Sequence, residues 1–269
     1  MARPSMAIVV TFYGRAPLWL PAFLLSCRKN PDVTWLIYSD IKIPSALPAN
    51  VTLRHMSLGE LGRRASEVFG TNVSITRLRK LCDLKLAYGL MFADDLQRYD
   101  FWAFSDLDII WGDIRHFATD KILNSHDIFS SRANRISGHL TLFRNAAPIN
   151  RIFLLIPDVA MAMAEPYYMH LDERELTRHL QEHLARQILR PSPRVYWPEE
   201  LTTNAAYQRS LGDTDADSLW WRKGKTFDAG GKELMYLHFP KLKQHMKTIN
   251  FGFDDVPTAF RVSRGGFSA

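Results

Sequence analysis

Two aspartates one residue apart, in Ser105-Asp106-Leu107-Asp108, follow the apolar run Phe101-Trp102-Ala103-Phe104. On an extended chain alternate residues share a side, so Asp106 and Asp108 point the same way while Leu107 turns into the core. Carboxylates this close repel one another unless a cation lies between them. A hard divalent ion such as Mn²⁺ or Mg²⁺ takes oxygen ligands and keeps positions open for phosphate oxygens. Ile109-Ile110-Trp111 follows the pair, and acids in so apolar a neighbourhood need a partner. The carboxyl end of a strand in an open α/β sheet is also where such folds bind ligands. The chemistry expected is a diphosphate held through a metal ion.

Other spacings suggest other chemistry. Asp213-Thr214-Asp215-Ala216-Asp217 begins like a calcium loop, but Ser218 stands where the glycine belongs and Gly224 where the bidentate glutamate belongs. It reads as a solvated turn. His179-Leu180-Gln181-Glu182-His183 matches H-x-x-E-H, so a zinc metallopeptidase using His179, Glu182 and His183 is the competing enzyme. Against it, Leu176, Leu180, Leu184 and Ile188 form the stripe of an ordinary amphipathic helix. Gly224-Lys225-Thr226 is no P-loop, since Leu219 stands where the upstream glycine is required, and no G-x-G-x-x-G occurs. A basic nucleic-acid-binding protein is the non-enzyme alternative. The basic residues are scattered and no recognised module appears, so nucleic acid is not the expected partner.

The elements that must position Asp106 and Asp108 follow from periodicity. Ile8–Phe12, Thr34–Tyr38, Asn50–Arg54 and Phe101–Phe104 read as strands, with helices at Leu18–Arg28, Leu58–Phe69 and Ile75–Phe92. This alternation argues for an α/β layered domain with a mainly parallel sheet. Asp127–Ser130 and His139–Phe143 read as further strands, and Glu173–Leu189 as the clearest helix, before a loop-rich tail. No linker or repeat divides the chain, so residues 1–269 are expected to form a single domain. The chain has 269 residues, 46% hydrophobic and 23% charged, which excludes disordered, fibrous and membrane-spanning classes. No targeting segment is evident, and its most apolar stretches are interrupted by Pro21 and Pro157. Two cysteines, Cys27 and Cys82, exclude a disulfide framework and point to a reducing, cytoplasmic compartment. The formal charge of +6 favours an anionic partner, including peripheral attachment at the inner face of a membrane.

The segments Leu81-Cys82-Asp83-Leu84-Lys85-Leu86-Ala87-Tyr88-Gly89, Tyr99-Asp100-Phe101-Trp102 and Ser105–Asp113 resemble a glycosyltransferase-like family whose members are mostly labelled a domain of unknown function. That family is similar in turn to the nucleotide-sugar-dependent GT-A glycosyltransferases. The likeness continues through Ser137–Asn145, Leu171-Asp172-Glu173 and Tyr236-Leu237-His238-Phe239. It implies a GT-A-like fold: a Rossmann-like sheet flanked by helices, with residues 1–115 binding the nucleotide sugar and 116–269 forming the acceptor half and tail. It implies a hexosyl-type transferase of surface polysaccharide synthesis, with Mn²⁺ or Mg²⁺, a nucleotide-diphosphate sugar (UDP-sugar first) as donor, and a glycan or lipid-linked acceptor. Asp106, Asp108 and His238 would hold the metal. Lys80, Asp83, Lys85, Gly138, His139 and Lys241 would meet the donor, with Lys243 and Lys247 as further phosphate clamps. Asp172 and Glu173 would be the catalytic carboxylates, although an aspartate just before a helix also serves as its cap. Leu86 stands where that family often has proline, so this helix is expected to begin differently.

Overall fold

The computed structural model describes residues 3–43, 46–188, 191–211 and 217–269. The acidic cluster starting at Asp213 lies outside the described residues except for Asp217, as does Leu189 at the expected end of the second-half helix. In chain order the strands are β1 (Met6–Phe12), β2 (Val33–Ser39), β3 (Val51–His55), β4 (Phe101–Ser105), β5 (Ile109–Trp111), β6 (Ile128–Ser130), β7 (Leu140–Arg144) and β8 (Val195–Tyr196). The tail adds β9 (Leu219–Arg222), β10 (Lys225–Phe227), β11 (Glu233–Leu234), β12 (Tyr236–His238), β13 (Thr248–Ile249), β14 (Ala259–Val262) and β15 (Gly266–Ser268).

The main sheet runs β3-β2-β1-β4-β7-β6-β8. Its first four strands are mutually parallel, and β7 is antiparallel to both β4 and β6. The apolar runs of β1, β2 and β4 are explained by burial on both faces, as parallel central strands require. Ala7, Val9, Leu36, Tyr38, Trp102 and Phe104 face one core, while Ile8, Val10, Trp35, Ile37, Phe101 and Ala103 face the other. The helix Leu20–Arg28 covers the second face, packing Leu20, Phe23, Leu24 and Cys27 there. The helix Leu58–Phe69 covers the first through Leu61, Ala65 and Phe69. Ser57 caps its start by accepting from the Glu60 N–H, and Gly70, at φ 65°, ends it in the left-handed region.

The expected helix over Ile75–Phe92 is instead a series of short turns: 3₁₀ at Leu78–Lys80 and Lys85–Ala87, α-helical at Leu81–Leu84 and Tyr88–Met91. Asp83 to Gly89 are all buried, so this stretch has no solvent face to keep a single helical stripe in register. The tail is not mainly loop. Strands β11-β10-β9-β14-β15-β13 form a second sheet around its own core, which includes Trp221, Phe260 and Phe267. These strands are two to four residues long, too brief for period-two alternation to show in sequence. A third pairing, β12 antiparallel to β5, ties the tail to the residues just after Asp108. Among the described residues no helix is long and apolar enough to cross a membrane.

Gly89 sits against the face of Trp102, and a Cβ placed there would lie 2.6 Å from the indole. Trp102 cannot step aside: it stacks on Phe143 at 4.7 Å and its indole N–H donates to Asn150 Oδ1 at 2.7 Å. Gly89→Ala is expected to cost roughly 1–3 kcal/mol of stability in chemical denaturation. An unchanged midpoint would show that this contact yields freely.

Candidate active site

Strand β4 ends at Ser105, and the chain crosses residues 106–108 before re-entering extended structure as β5. Because β12 pairs with β5 with His238 opposite Ile109, the histidine is carried to the two aspartates. The Phe239 N–H also donates to the Asp108 carbonyl at 3.2 Å. The backbone of His238 is fixed further by Thr202 Oγ1 on its N–H and by Thr203 Oγ1 and Gln208 Nε2 on its carbonyl. Its ring Nε2 lies 3.7 Å from Asp106 Oδ2 and 3.7 Å from Asp108 Oδ1. One ligand atom from each of Asp106, Asp108 and His238 falls within 4.8 Å of the others.

Two lysines reach the same carboxylates. Lys85 Nζ contacts Asp106 Oδ1 at 2.5 Å and the Gly138 carbonyl at 2.7 Å, and Lys243 Nζ contacts Asp108 Oδ2 at 2.7 Å. Burial acts to raise the pKa of Asp108, but the charges of His238 and Lys243 outweigh it, and the carboxyl is held far below its ordinary value. Lys85 shows the same contest. Its burial disfavours the ammonium, yet Asp106 first, then Cys82 and Asp172, keep it charged well past its usual range.

Above these groups lies a cavity of about 410 Å³, within the range of small-molecule sites. It is bounded by Thr11 and Tyr13 at the end of β1, by Trp19 before the helix Leu20–Arg28, by Arg79, Cys82 and Lys85, by Asp106 and Asp108, and by Tyr168, His238 and Lys243. The cavity thus lies at the carboxyl ends of the parallel strands, as the position of the aspartates in the sequence implied. Burial pushes the Cys82 thiol up to about 12, so it offers no thiolate nucleophile near neutral pH.

The structure sorts the remaining expected site residues. Lys85, Asp106, Asp108 and His238 converge on the cavity, and Lys243 joins them, whereas Lys241 is exposed, does not line the cavity, and donates its backbone N–H to Gln208 Oε1. Lys80 and Asp83 are fully buried and paired at 3.2 Å, and Lys80 also donates to the carbonyls of Ala162 and Tyr167. Asp83 accepts the N–H groups of Met169 and Leu171 at 2.8 and 2.9 Å. These two residues hold the 162–171 segment. Gly138 lies close to Asp172: a Cβ on it would come 3.0 Å from Asp172 Oδ2. The His139 ring is buried against His238 and is kept neutral, by burial first and by the charge of His238 next.

Asp172 and Glu173 have different surroundings, although both approach Gly138. They belong to a π-helical turn, Leu171–Glu175, entered through His170 at φ 59°, that precedes the helix Leu176–Ala185. Such turns recur at functional sites. Asp172 is buried and accepts the Tyr168 hydroxyl at 2.9 Å, whereas Glu173 faces a second cavity and lies 3.9 Å from Arg132. Burial pushes Asp172 up to about 7, with Lys85 and the Tyr168 hydrogen bond opposing and Asp83 and Asp106 reinforcing it. Tyr168 was not singled out in the sequence, because a tyrosine four residues before an aspartate carries no signal of its own. The H-x-x-E-H match does not build a zinc site. His183 Nδ1 is bonded to the His179 carbonyl at 2.7 Å, and no third ligand joins the motif among the described residues.

Residues 8–267 match the family of unknown function DUF6625. The chain belongs to that family. Among curated proteins no sequence matches. Among solved structures, this DUF6625 chain is similar to mouse xyloside xylosyltransferase 1 in its apo form, with a TM-score of 0.50, 10% identity, and 88% of this chain and 98% of that chain covered. It also aligns with a glycosyltransferase involved in glycosylation of the major capsid of PBCV-1 (TM-score 0.43, 11% identity, 88% and 94% covered). A third is galactosyltransferase LgtC in complex with donor and acceptor sugar analogs (TM-score 0.46, 8% identity, 87% and 87% covered). At these identities the likeness concerns the fold, which is GT-A-like, and activity must be argued from the site.

Two carboxylates and one imidazole form a candidate cation site, and ammonium groups already lie on both carboxylates. Two outcomes follow. Removing the Lys80 charge leaves Asp83 buried and unpaired, so Lys80→Met is expected to cost about 3 kcal/mol or more in urea unfolding. Asp172 keeps its proton to about pH 7 when folded but loses it near pH 4 when unfolded. Its contribution is therefore full below about pH 4 and declines as pH rises towards 7, by an amount on the order of 4 kcal/mol. In Asp172→Asn that decline should flatten in melting curves taken across this range. An identical pH dependence in both proteins would place the carboxyl in an ordinary, solvated setting.

Proposed function

We propose that this protein is a metal-dependent glycosyltransferase that moves a sugar, of hexosyl type, from a nucleotide-diphosphate donor to a glycan or lipid-linked acceptor in surface polysaccharide synthesis. The observation that carries the reading is the Asp106, Asp108 and His238 cluster, set with Lys85 and Lys243 at the cavity floor. Asp106, Asp108 and His238 would hold Mn²⁺ or Mg²⁺, which when bound neutralises charge developing on the departing diphosphate. Lys85 and Lys243, released from their carboxylates, would turn to phosphate oxygens. UDP-sugar is the first donor to test. Residues 1–115 would supply most of the donor side of this single domain, and residues 116–269 the acceptor side.

In the transfer, the bond from the anomeric carbon to the diphosphate oxygen breaks and a bond to the acceptor oxygen forms. The acceptor hydroxyl proton passes to a deprotonated carboxylate, a role Asp172 could fill only above about pH 7. Asp172, protonated up to about pH 7 and tied to the cavity through Tyr168, and Glu173, on the neighbouring cavity, are the groups proposed to attend the reacting sugar. Gly138 leaves the room that the two need. The work would be cytoplasmic, with the basic surplus giving a loose hold on an anionic membrane surface.

A thermal-shift titration with UDP, GDP and other nucleotides, with and without Mn²⁺, tests this. At a hundredfold excess over its Kd a bound nucleotide adds about 2.7 kcal/mol, a Tm rise of a few degrees. The rise should require the metal and disappear in Asp108→Ala. If no nucleotide stabilises the fold in a metal-dependent way, the transferase reading is wrong.

A further inference from the structure

A histidine that ligates a metal needs its ring held at a fixed angle, and that is usually done by a hydrogen bond to the other ring nitrogen. Besides the aspartates near its Nε2, the His238 ring in this protein carries a stack. His139 lies against it with centroids 4.2 Å apart and planes 30° from parallel. His139 directly precedes β7, and Leu140 at the start of β7 pairs with Ser105 at the end of β4. Pairing between these two strands therefore sets His139 beside the aspartates, just as β12 sets His238 there.

His139 is itself anchored. Its Nδ1 lies 2.6 Å from the Tyr236 hydroxyl and 3.2 Å from Ser137 Oγ, and the Tyr236 hydroxyl lies 2.6 Å from Ser131 Oγ. The Ser131 hydroxyl donates to the Leu140 carbonyl at 3.0 Å. With that proton committed, the Tyr236 hydroxyl must donate to Ser131, and the Nδ1–H of His139 must donate to Tyr236. Tyr236 and His238 are alternate residues of one strand and so share a face. His139 packs edge-on to Tyr236, at 5.6 Å and 68°, and flat on His238. A buried chain Leu140–Ser131–Tyr236–His139 thus ends on the face of the proposed metal ligand.

We infer that His139 is a positioning residue: it contacts neither metal nor donor, and it holds the His238 imidazole at the angle from which it can ligate a divalent cation together with Asp106 and Asp108. This rests on the metal site proposed above and adds a role to a residue that the family resemblance placed at the donor sugar.

The test is Mn²⁺ affinity, read from the free-Mn²⁺ electron paramagnetic resonance signal at fixed UDP, in His139→Ala, His139→Phe, Tyr236→Phe and His238→Ala. His139→Ala is expected to weaken Mn²⁺ binding by ~10- to 100-fold. His139→Phe keeps a flat ring for the stack and should recover most of that loss, and Tyr236→Phe should lie between. In metal-free protein the His238 ring proton resonances should move in His139→Ala and stay near their wild-type positions in His139→Phe. Wild-type affinity in a folded His139→Ala protein, with His238→Ala impaired, overturns the inference and leaves the metal site standing. An equal loss in the alanine and phenylalanine variants also overturns it. If wild type itself takes up no Mn²⁺, the metal site and this inference fall together. Should His139→Ala not fold, Tyr236→Phe decides, since unchanged affinity there would mean that the anchoring chain does not matter.

Discussion

Asp106 and Asp108 repel one another, and Asp108 is almost shut off from water, so positive charge has to be brought to both from elsewhere in the chain. It comes from two directions. Lys85 arrives from the broken helical segment under the cavity, and His238 and Lys243 arrive from the tail. None of these three is near the aspartates in sequence. The main sheet, the short turns at 78–91 and the β5–β12 pairing can each be read as what is required to deliver one of them.

A second ionic arrangement supports the first. The buried Lys80–Asp83 pair uses its remaining hydrogen-bonding capacity on backbone groups between Ala162 and Leu171, so the two charges and the polar backbone satisfy each other. That clamp fixes the entrance to the π-turn carrying Asp172 and Glu173 and holds Tyr168 against the cavity. The segment from Leu78 to Lys85 thereby does two jobs with residues five apart. Lys80 shapes the scaffold, and Lys85 reaches the site. Local 3₁₀ turns make this possible, because a regular α-helix would fix the two lysines at a single angular spacing.

Much of the fold could be read from the sequence where pattern lengths were sufficient. Strands at β1, β2 and β4 stood out because burial on both faces leaves continuous β-branched and aromatic runs, and the helix Leu58–Phe69 because it has one wet and one dry face. The Asp106 and Asp108 pair was legible from an apolar strand ending in two acids. The burial of the Lys80–Asp83 pair was not legible, since charged residues three apart look the same on a solvated helix and in a buried pair, and only tertiary packing distinguishes them. Strands β5 and β12 were missed because three residues carry no period, yet their pairing completes the cluster. The His139 stack was likewise invisible, being a contact between residues almost a hundred positions apart.

The β5–β12 pairing also orders events during synthesis. Strands β1 to β4 are made before the tail, so the growing chain presents Asp106 and Asp108 on a forming sheet with Lys85 alone to offset them. His238 and Lys243 arrive only when the last part of the chain emerges and β12 docks. An unfinished or clipped chain would keep much of its main sheet but leave an acidic spot where the cation site should be. The candidate cation cluster is thus completed by residues from the last part of the chain.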